Sequence, residues 1–481
     1  MFLKKKNKAE IIFYIFLKFI LNKILGREGD VLPAYILKKI DKNIFDSFAG
    51  HVSSLGIPVI FITGTNGKTT TSNIIAETLK LSGKQVCFNS NGANMANGIF
   101  GAIIGSYKLL PGFGMKKFLK LDFKFAADFV IIECDEKVFP YVSSMLKPDI
   151  LIITNFYRDQ LDRYGEINST VFEIKKAVKR ISAANERNIL LVLPSFEPLA
   201  AFVGYEINED KKYFGFDKTF AGSAVNAPTT LSDAAACPNC KNILLAGEEQ
   251  IKSPFSYVFK CETCGFSSAV PEITATKNIT GSLTIERQES EAGSFTFKPV
   301  LTGDYNAANY LAAYSVLKNL KIGDDIIKTS FENFKTKFGR SFKKTVKGLE
   351  INIDLVKNPA GTDSVLEKIT ESNFPVDILF AFSDRPADGR DVSWIWDIDF
   401  EKYARYIGNV VISGLRPFDM ALRLKTAGID PKKITVEYNL KKAVKVIIDI
   451  VEALDFHEKK IYILPTYTEL LRLKKYINSI K

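Results

Sequence analysis

Short apolar runs separated by stretches of helical period dominate the first half of the chain. Ile57-Pro58-Val59-Ile60-Phe61-Ile62 is brief and β-branched, so it reads as a buried strand. A glycine-bearing turn from Thr63 to Thr71 follows, and the helix-period stretch Asn73 to Leu81 stops at Ser82-Gly83. Phe129 to Ile132, Asp149 to Thr154 and Ile189 to Leu193 read as further buried strands, with a helix from about Glu166 between the last two. Strands alternating with helices predict an α/β domain with a mainly parallel sheet and crossover helices. After a helix over Asn309 to Leu320 the character changes. Leu349 to Val356 and Ile378 to Ser383 then read as strands of a C-terminal α/β domain. The expected organisation is an N-terminal helical segment over 1–50, a central domain over 51–320 and a C-terminal domain over 321–481.

The N-terminus has its own pattern. Met1 to Lys8 carries four lysines, and Ile11 to Leu25 is apolar except for Lys18, Asn22 and Lys23. No small-residue cleavage site follows, and the run is shorter than the roughly 20 residues needed to cross a bilayer. It reads as an amphipathic helix with a basic fringe, packed on the protein or a partner, or lying against a membrane surface.

Composition narrows the chemistry. In 481 residues, 46% hydrophobic and 25% charged, Lys+Arg outnumber Asp+Glu by 65 to 54. The net charge of +11 favours phosphates, nucleic acid or an anionic membrane as partner. Only His51 and His457 are histidines, and neither lies in a motif, which argues against Ser-His-Asp hydrolysis and multi-histidine metal catalysis. Six cysteines in so long a chain do not make a secreted disulfide scaffold.

The turn after the first strand carries the strongest chemical signal. Gly64-Thr65-Asn66-Gly67-Lys68-Thr69-Thr70 between a strand and a helix aims backbone N–H groups and a helix dipole at a polyphosphate. Lys68 would neutralise the β- and γ-phosphates, and the Thr69 hydroxyl would sit on Mg²⁺. The generic pattern has an earlier glycine where this chain has Ile62. The second strand ends in Glu133-Cys134-Asp135-Glu136, and a carboxylate there is placed to hold Mg²⁺. Glu133 is the first choice; Asp135 and Glu136 are its rivals.

Cys237-Pro238-Asn239-Cys240 and Cys261-Glu262-Thr263-Cys264-Gly265 form two Cys-x₂-Cys pairs with twenty residues between them. This spacing fits a zinc ribbon inserted at about 230–270, with four thiolates around one Zn²⁺ and no coordination site left for water. The site is therefore read as structural. Its loop offers few arginines and no aromatic-basic interleaving, so no nucleic-acid partner is expected. Cys87 and Cys134, in strand contexts, read as small buried hydrophobes.

Thr63 to Thr70, the acidic strand end, Thr154-Asn155 with Leu161-Asp162-Arg163, and Thr302-Gly303-Asp304-Tyr305-Asn306-Ala307-Ala308-Asn309 together resemble the Mur ligases. Those enzymes phosphorylate a carboxylate with ATP and let an amine attack the acyl phosphate. The resemblance implies that Asn306 and Asn309 lie near the adenine and Arg340 near the nucleotide. As bare residues, the two asparagines are also an i, i+3 pair that capping would explain. There are departures. Gln160 and Tyr305 stand where histidine is common, and Pro194-Ser195-Phe196-Glu197-Pro198 replaces an Asn-x-Asp-Asp-Pro type segment. Lys175 and Lys176 are candidates for the carbamylated lysine of the family. About sixty residues precede the phosphate loop, too few for the domain that usually grips a UDP-linked precursor.

Further motifs narrow the resemblance within the Mur ligases. Asp384 to Phe400 contains both tryptophans, with five acidic residues between Asp388 and Glu401. Together with Ser413 to Lys425 and Leu464 to Leu470, it is similar to the branch that forms the synthetase subunit of lipid II isoglutaminyl synthase. What this implies is ATP-dependent amidation of the D-glutamate α-carboxylate of lipid II, with ammonia from a separate GatD-type glutaminase subunit. Asp391, with Asp388 as alternative, would complete that partner's Cys-His-Asp triad. The implied location is the cytoplasm, with the inner membrane face as a candidate contact. The alternative reading is an amino-acid-adding Mur or folylpolyglutamate-type ligase that works without a glutaminase.

Overall fold

The computed structural model describes residues 3–23, 29–89, 92–110, 122–157, 167–184, 188–217, 236–246, 258–278, 281–287, 294–335, 341–346, 348–370, 374–385, 388–453 and 460–477. The chain divides into two compact units, Met1–Phe156 with Asn168–Lys335, and Tyr157–Ile167 with Thr336–Lys481.

The first unit opens with three helices, α1 (Lys5–Lys23), α2 (Val31–Ile40) and α3 (Ile44–Ser54). Then comes β1 (Val59–Thr63), α4 (Lys68–Leu81), β2 (Val86–Phe88), α5 (Ala96–Gly105), the hairpin β3 (Tyr107–Leu109) and β4 (Phe123–Phe125), and β5 (Phe129–Glu133). The alternation continues through α6 (Phe139–Met145), β6 (Ile150–Ile153), α7 (Ile167–Ala183), β7 (Leu190–Pro194), α8 (Pro198–Gly204) and β8 (Asp210–Phe216). A small antiparallel pair, β9 (Leu245–Ala246) and β10 (Phe259–Lys260), belongs to the cysteine-bearing segment. The unit ends with β11 (Ile273–Lys277), β12 (Leu283–Arg287), β13 (Phe295–Phe297), α9 (Asp304–Asn319) and α10 (Asp324–Glu332).

Nine of these strands form one sheet in the order β13-β12-β11-β8-β7-β6-β1-β5-β2. The strands from β2 to β11 pair in parallel, and β12 and β13 add an antiparallel edge. Every residue of β1 is buried, as expected for a strand covered on both faces. Ile60, Ile62 and Ile131 share one core with Ile74, Ile75 and Leu79 of α4 and with the aromatic residues Tyr310 and Tyr314 of α9. The chain leaves β1 toward β2 on one side and later crosses from β5 to β6 on the other. Open parallel sheets hold ligands outside the carboxyl ends at such a reversal, and the turn after β1 lies there.

The second unit is built from β14 (Ser341–Val346), β15 (Leu349–Asp354), α11 (Pro359–Thr370), β16 (Val376–Phe382), α12 (Phe400–Tyr403), β17 (Ile407–Gly414), α13 (Pro417–Thr426), β18 (Ile434–Val436), α14 (Leu440–Glu452), β19 (Lys460–Pro465) and α15 (Tyr467–Ile477). Its six strands run β14-β15-β19-β16-β17-β18, parallel except for β14. One core lies on each face. β16 is the reversal point, flanked by β19 and β17, and the Asp384–Trp396 segment follows its carboxyl end.

Candidate active site

The turn after β1 needs glycine at two places. Gly64 has φ +122°, and a Cβ there would lie 2.4 Å from Thr154 Oγ1 and 2.7 Å from the Asn155 carbonyl oxygen. Gly67 has φ +85°, and its Cβ would meet Asn309 Oδ1 at 2.1 Å. Residues at the carboxyl end of β6 hold the turn in place. The Asn155 carbonyl accepts from Thr65 N–H at 2.9 Å, Asn155 Oδ1 accepts from Asn66 N–H at 2.9 Å, and Asn155 Nδ2 donates to the Asn66 carbonyl at 3.1 Å. Thr154 Oγ1 donates to the same Asn66 carbonyl at 2.6 Å. With α4 starting at Lys68, its first-turn N–H groups and its dipole face the place where phosphate would sit.

Lys68 is buried against acidic neighbours. Its Nζ donates to the Gly64 carbonyl, to the Thr65 carbonyl at 3.1 Å and to Glu136 Oε2 at 3.0 Å. Burial alone would lower its pKa, but Glu136, Asp135 and Glu133 outweigh it and hold the amine above its ordinary value. Burial in turn raises the Glu136 carboxyl, and Lys68 opposes that rise. The ammonium is thus kept charged beside the phosphate loop.

Glu133 faces the other side chain of the motif. Thr69 Oγ1 donates to Glu133 Oε1 at 2.8 Å, while Glu133 Oε2 is buried with no hydrogen-bond partner. A buried carboxylate oxygen lacking a donor is costly unless a cation completes it. A threonine hydroxyl and a carboxylate supply hard oxygen ligands of the kind that suit Mg²⁺. The backbone of Glu133 is pinned by Asn89, whose Oδ1 accepts from Glu133 N–H at 2.9 Å and whose Nδ2 donates to the Glu133 carbonyl at 2.7 Å. The three carboxylates therefore have separate jobs. Glu133 meets Thr69, Glu136 meets Lys68, and Asp135 Oδ1 accepts from Lys137 N–H at 3.1 Å.

Asn309 is brought to the phosphate loop. It is buried, it lies against Gly67, and its Oδ1 accepts from Thr71 Oγ1 at 3.3 Å. Asn306 stands one step away, linked to Asn309 at 3.4 Å and to the Thr302 carbonyl at 2.8 Å. Thr70 occupies the first turn of α4. Arg340, Gln160, Leu161 to Arg163 and His457 lie outside the described residues. His51 Nδ1 pairs with the Tyr107 hydroxyl at 2.7 Å. Gly67→Ala should weaken ATP binding by about 100-fold or more while the fold survives, because the new methyl displaces Asn309 and strains a left-handed backbone. Calorimetric titration with ATP and a thermal melt check the two halves of that expectation.

Lys175 and Lys176 separate clearly. Lys175 Nζ is buried, donates to the Phe202 carbonyl at 2.8 Å and lies 3.6 Å from the Phe202 ring centre. Burial lowers its pKa to about 8. Lys176 is exposed and pairs with Glu173 at 2.7 Å. The Pro194–Pro198 segment proves to be a helix cap. Glu197 Oε1 and Oε2 accept from the N–H groups of Leu199 and Ala200 at 3.0 and 2.7 Å at the start of α8.

The four cysteines Cys237, Cys240, Cys261 and Cys264 converge, with all four sulfurs within 4.8 Å of one another. Cys237 and Cys264 sulfurs are 3.6 Å apart, and those of Cys240 and Cys261 are 3.4 Å apart. Zn–S bonds of about 2.3 Å in a tetrahedron require sulfurs about 3.8 Å apart, so the donor set and spacing fit that ion. Burial pushes the Cys237 thiol up to about 12, whereas hydrogen bonds from Asn239 and the Phe266 N–H bring Cys264 down to about 6. Among the described residues no other group of histidine, cysteine and carboxylate side chains is arranged to hold a metal.

In the second unit, Asp388 is buried and its Oδ1 accepts from Thr468 N–H at 2.8 Å. Asp391 is partly exposed, and its Oδ1 accepts from Ser393 N–H at 2.8 Å, opening a 3₁₀ turn over Ser393–Asp397. Arg423 of α13 fastens that turn by donating to the Ile395 and Ile398 carbonyls and to both oxygens of Glu401. Trp394 is buried, but Trp396 is exposed beside Arg423. Leu415, Phe418, Leu422 and Tyr438 are exposed as well, with Phe418 and Tyr438 in edge contact.

The Mur ligase middle domain family matches residues 62–236. The pseudomurein peptide ligase type C from Methanothermus fervidus has a similar fold, with a TM-score of 0.64 and 21% identity, over 88% of this chain and 79% of that one. The sheet has the fold of a Mur ligase middle domain. The MurT ligase C-terminal family matches residues 355–470. The lipid II isoglutaminyl synthase (glutamine-hydrolyzing) subunit MurT of Staphylococcus aureus (strain COL) is 31% identical over 95% of this chain and 94% of its own. Its counterpart in Streptococcus pneumoniae (strain ATCC BAA-255 / R6) is 30% identical over 96% and 94%. The chain belongs to the MurT family.

Proposed function

We propose that the chain is the synthetase subunit of a glutamine-hydrolysing lipid II isoglutaminyl synthase. The observation that carries this reading is the preformed phosphoryl-transfer cradle of Lys68, Thr69 and Glu133 in a chain matched along nearly its whole length by MurT subunits. The α-carboxylate of D-glutamate in lipid II attacks the γ-phosphorus of ATP, the bond to the β-phosphate oxygen breaks, and ADP leaves an acyl phosphate. The nitrogen lone pair of ammonia then attacks the acyl carbon, phosphate departs, and a proton is lost to give the amide of D-isoglutamine.

The residues contribute by position and charge. Backbone N–H groups of the turn and the α4 dipole hold the phosphates, and Lys68 offsets charge that builds on the transferring group. Lys68 has to exchange Glu136 for phosphate oxygens as ATP enters, a swap of one anionic partner for another. Thr69 and Glu133 would hold Mg²⁺, which would supply neutralisation of phosphate charge. Asn309 keeps Gly67 in register beneath them.

Ammonia is largely ammonium at neutral pH and only the free base attacks, so a sheltered source is needed. A GatD-type glutaminase is the proposed source, in a complex in the cytoplasm. Two features of the second unit support such a partner: a partly exposed carboxylate, Asp391, and exposed apolar residues on and near α13.

Co-expression with the glutaminase, followed by mass spectrometry of lipid II after incubation with glutamine and ATP, tests the function. An acid-to-amide mass shift that requires both is expected. Lipid II that binds but never changes mass would sink the assignment, and amidation by an amino acid without the glutaminase would replace it with an amino-acid-adding ligase.

The cysteine cluster is proposed to hold one structural Zn²⁺. Cys261→Ser should lower zinc, measured by plasma mass spectrometry, from about one ion per chain to well under half, and should lower the melting temperature. A variant that retains full zinc would show that another site binds it.

A further inference from the structure

α1 is apolar on two opposite faces, and only one is covered. Ile11, Tyr14 and Leu21 are buried, and the helix packs against α2, α3 and α5. Polar contacts fix its rotation on the body. Asn7 Nδ2 donates to Ser47 Oγ at 2.8 Å, the Tyr14 hydroxyl donates to the Gly101 carbonyl at 2.8 Å, and Lys18 pairs with Asp30. Lys6 and Lys8 pair with Asp41 and Asp122 at 2.6 and 3.0 Å. With the helix held in this way, Ile12, Phe13, Ile15, Phe16 and Phe19 must point outward, and Phe16 and Phe19 are 55% and 59% exposed. α2 adds exposed Val31, Leu32 and Tyr35. Aromatic and aliphatic side chains in such numbers on one helix face do not stay in water without an occupant.

Charge identifies the occupant. Lys5, Ile12, Phe16, Phe19 and Lys23 follow one another at intervals of seven, four, three and four residues, so they form one stripe with an exposed lysine at each end. The helix holds five lysines and a single acidic residue, Glu10. An apolar stripe closed at both ends by lysine suits a helix lying in the plane of a bilayer, its rings among the upper acyl chains and its ammonium groups reaching back to anionic headgroups. Among the described residues no helix is long and apolar enough to cross a membrane.

We propose that the outward face of α1 seats the chain on an anionic lipid surface, with the helix axis parallel to it. The choice of a bilayer over a protein as occupant rests on this charge pattern and on the proposed lipid-linked substrate. A lipid-anchored substrate is confined to two dimensions, and an enzyme seated on the same surface meets it far more often than one in bulk solution.

Flotation or sedimentation of the full chain in complex with its glutaminase, with vesicles of phosphatidylcholine alone or containing about one quarter phosphatidylglycerol, tests the proposal. Binding should be about tenfold or more tighter to the anionic vesicles and should weaken as salt rises. Phe16→Ser with Phe19→Ser should reduce vesicle binding by roughly tenfold or more, with the melting temperature and the glutaminase complex unchanged. In Phe16→Trp, indole emission should shift to the blue on anionic vesicles and be quenched by brominated acyl chains. Wild-type protein that ignores vesicles, or a double variant that binds them equally, overturns the proposal. So does a double variant that leaves vesicle binding intact but releases the glutaminase or converts a dimer to monomers, since the face is then a protein interface. Amidation of detergent-solubilised lipid II separates the two readings. If wild-type protein binds vesicles yet never amidates, the function fails and the seat survives; if it amidates but does not bind vesicles, only the seat fails.

Discussion

Lys68→Met is expected to lower ATP-dependent amidation by roughly 1,000-fold or more, measured as kcat/KM with saturating ammonia, so that the glutaminase plays no part. The loss arises because the amine is the one cation the phosphate loop itself supplies, and it acts on charge that grows only as the phosphoryl group moves. The same change has a second, pH-dependent effect on stability. Burial already places the Glu136 carboxyl above its ordinary value, and Lys68 is the main influence opposing that rise. Without the amine the folded-state pKa climbs further. An acid whose folded pKa lies above its unfolded value carries no penalty while both states are protonated, and costs stability as pH rises from the unfolded pKa toward the folded one. The melting temperature of the variant should therefore fall further below wild type at about pH 8 than at about pH 5. Adding Glu136→Gln should recover most of the melting temperature and none of the activity, because it removes the buried charge without restoring a cation. An equal deficit at both pH values would place the instability elsewhere than Glu136.

That partition of carboxylates shows where sequence reading stops. The phosphate loop is legible because its chemistry is contiguous: a strand, two glycines, a lysine and a threonine within a dozen residues. The acidic strand end is legible as a group of candidates and no further. Glu133 and Glu136 are three residues apart, and which meets Thr69 and which meets Lys68 depends on how the chain turns after β5. Asn89 is harder still. It is one asparagine just beyond a short strand, and its importance comes from a partner 44 residues away. Asn155 is marked in the sequence only by the family resemblance, and its hold on Asn66, 89 residues away, shows only in the folded chain.

Local propensity also misleads at α5. Its sequence, Ala96–Gly105, contains Gly98, Gly101 and Gly105, which argue against a helix when taken alone. Tertiary contact reverses the preference at Gly101, where a Cβ would lie 2.5 Å from the Asp30 carbonyl oxygen; at Gly98 the close neighbour is local, the Ala93 carbonyl oxygen at 2.3 Å in the turn before the helix. The glycines are the condition for close packing. α1 fails to show its arrangement for a different reason. With apolar residues on both its covered and its outward face, its periodicity is blurred, and only the packed structure separates Ile11, Tyr14 and Leu21 from Phe16 and Phe19.

Asp391→Asn is expected to reduce glutamine-driven amidation by about 1,000- to 10,000-fold while leaving ammonia-driven amidation within a few-fold of wild type. The argument begins with what a triad carboxylate must do: hold a histidine in one tautomer and stabilise its protonated form, which requires an oxygen at the surface facing the partner. Asp391 is partly exposed and spends one oxygen on Ser393 N–H, so the 3₁₀ turn orients the carboxylate while leaving it near solvent. Asp388 is buried and bound to Thr468 N–H across to the start of α15. Its substitution should therefore cost melting temperature, and should lower both activities together as the loop between β16 and the tryptophan turn loses its anchor. The two aspartates are distinguished by the ratio of glutamine-driven to ammonia-driven rates rather than by either rate alone. If Asp388→Asn collapses that ratio and Asp391→Asn does not, the buried residue serves the glutaminase after docking rearranges the loop. If Asp391→Asn depresses both rates equally, its role lies in the synthetase reaction itself.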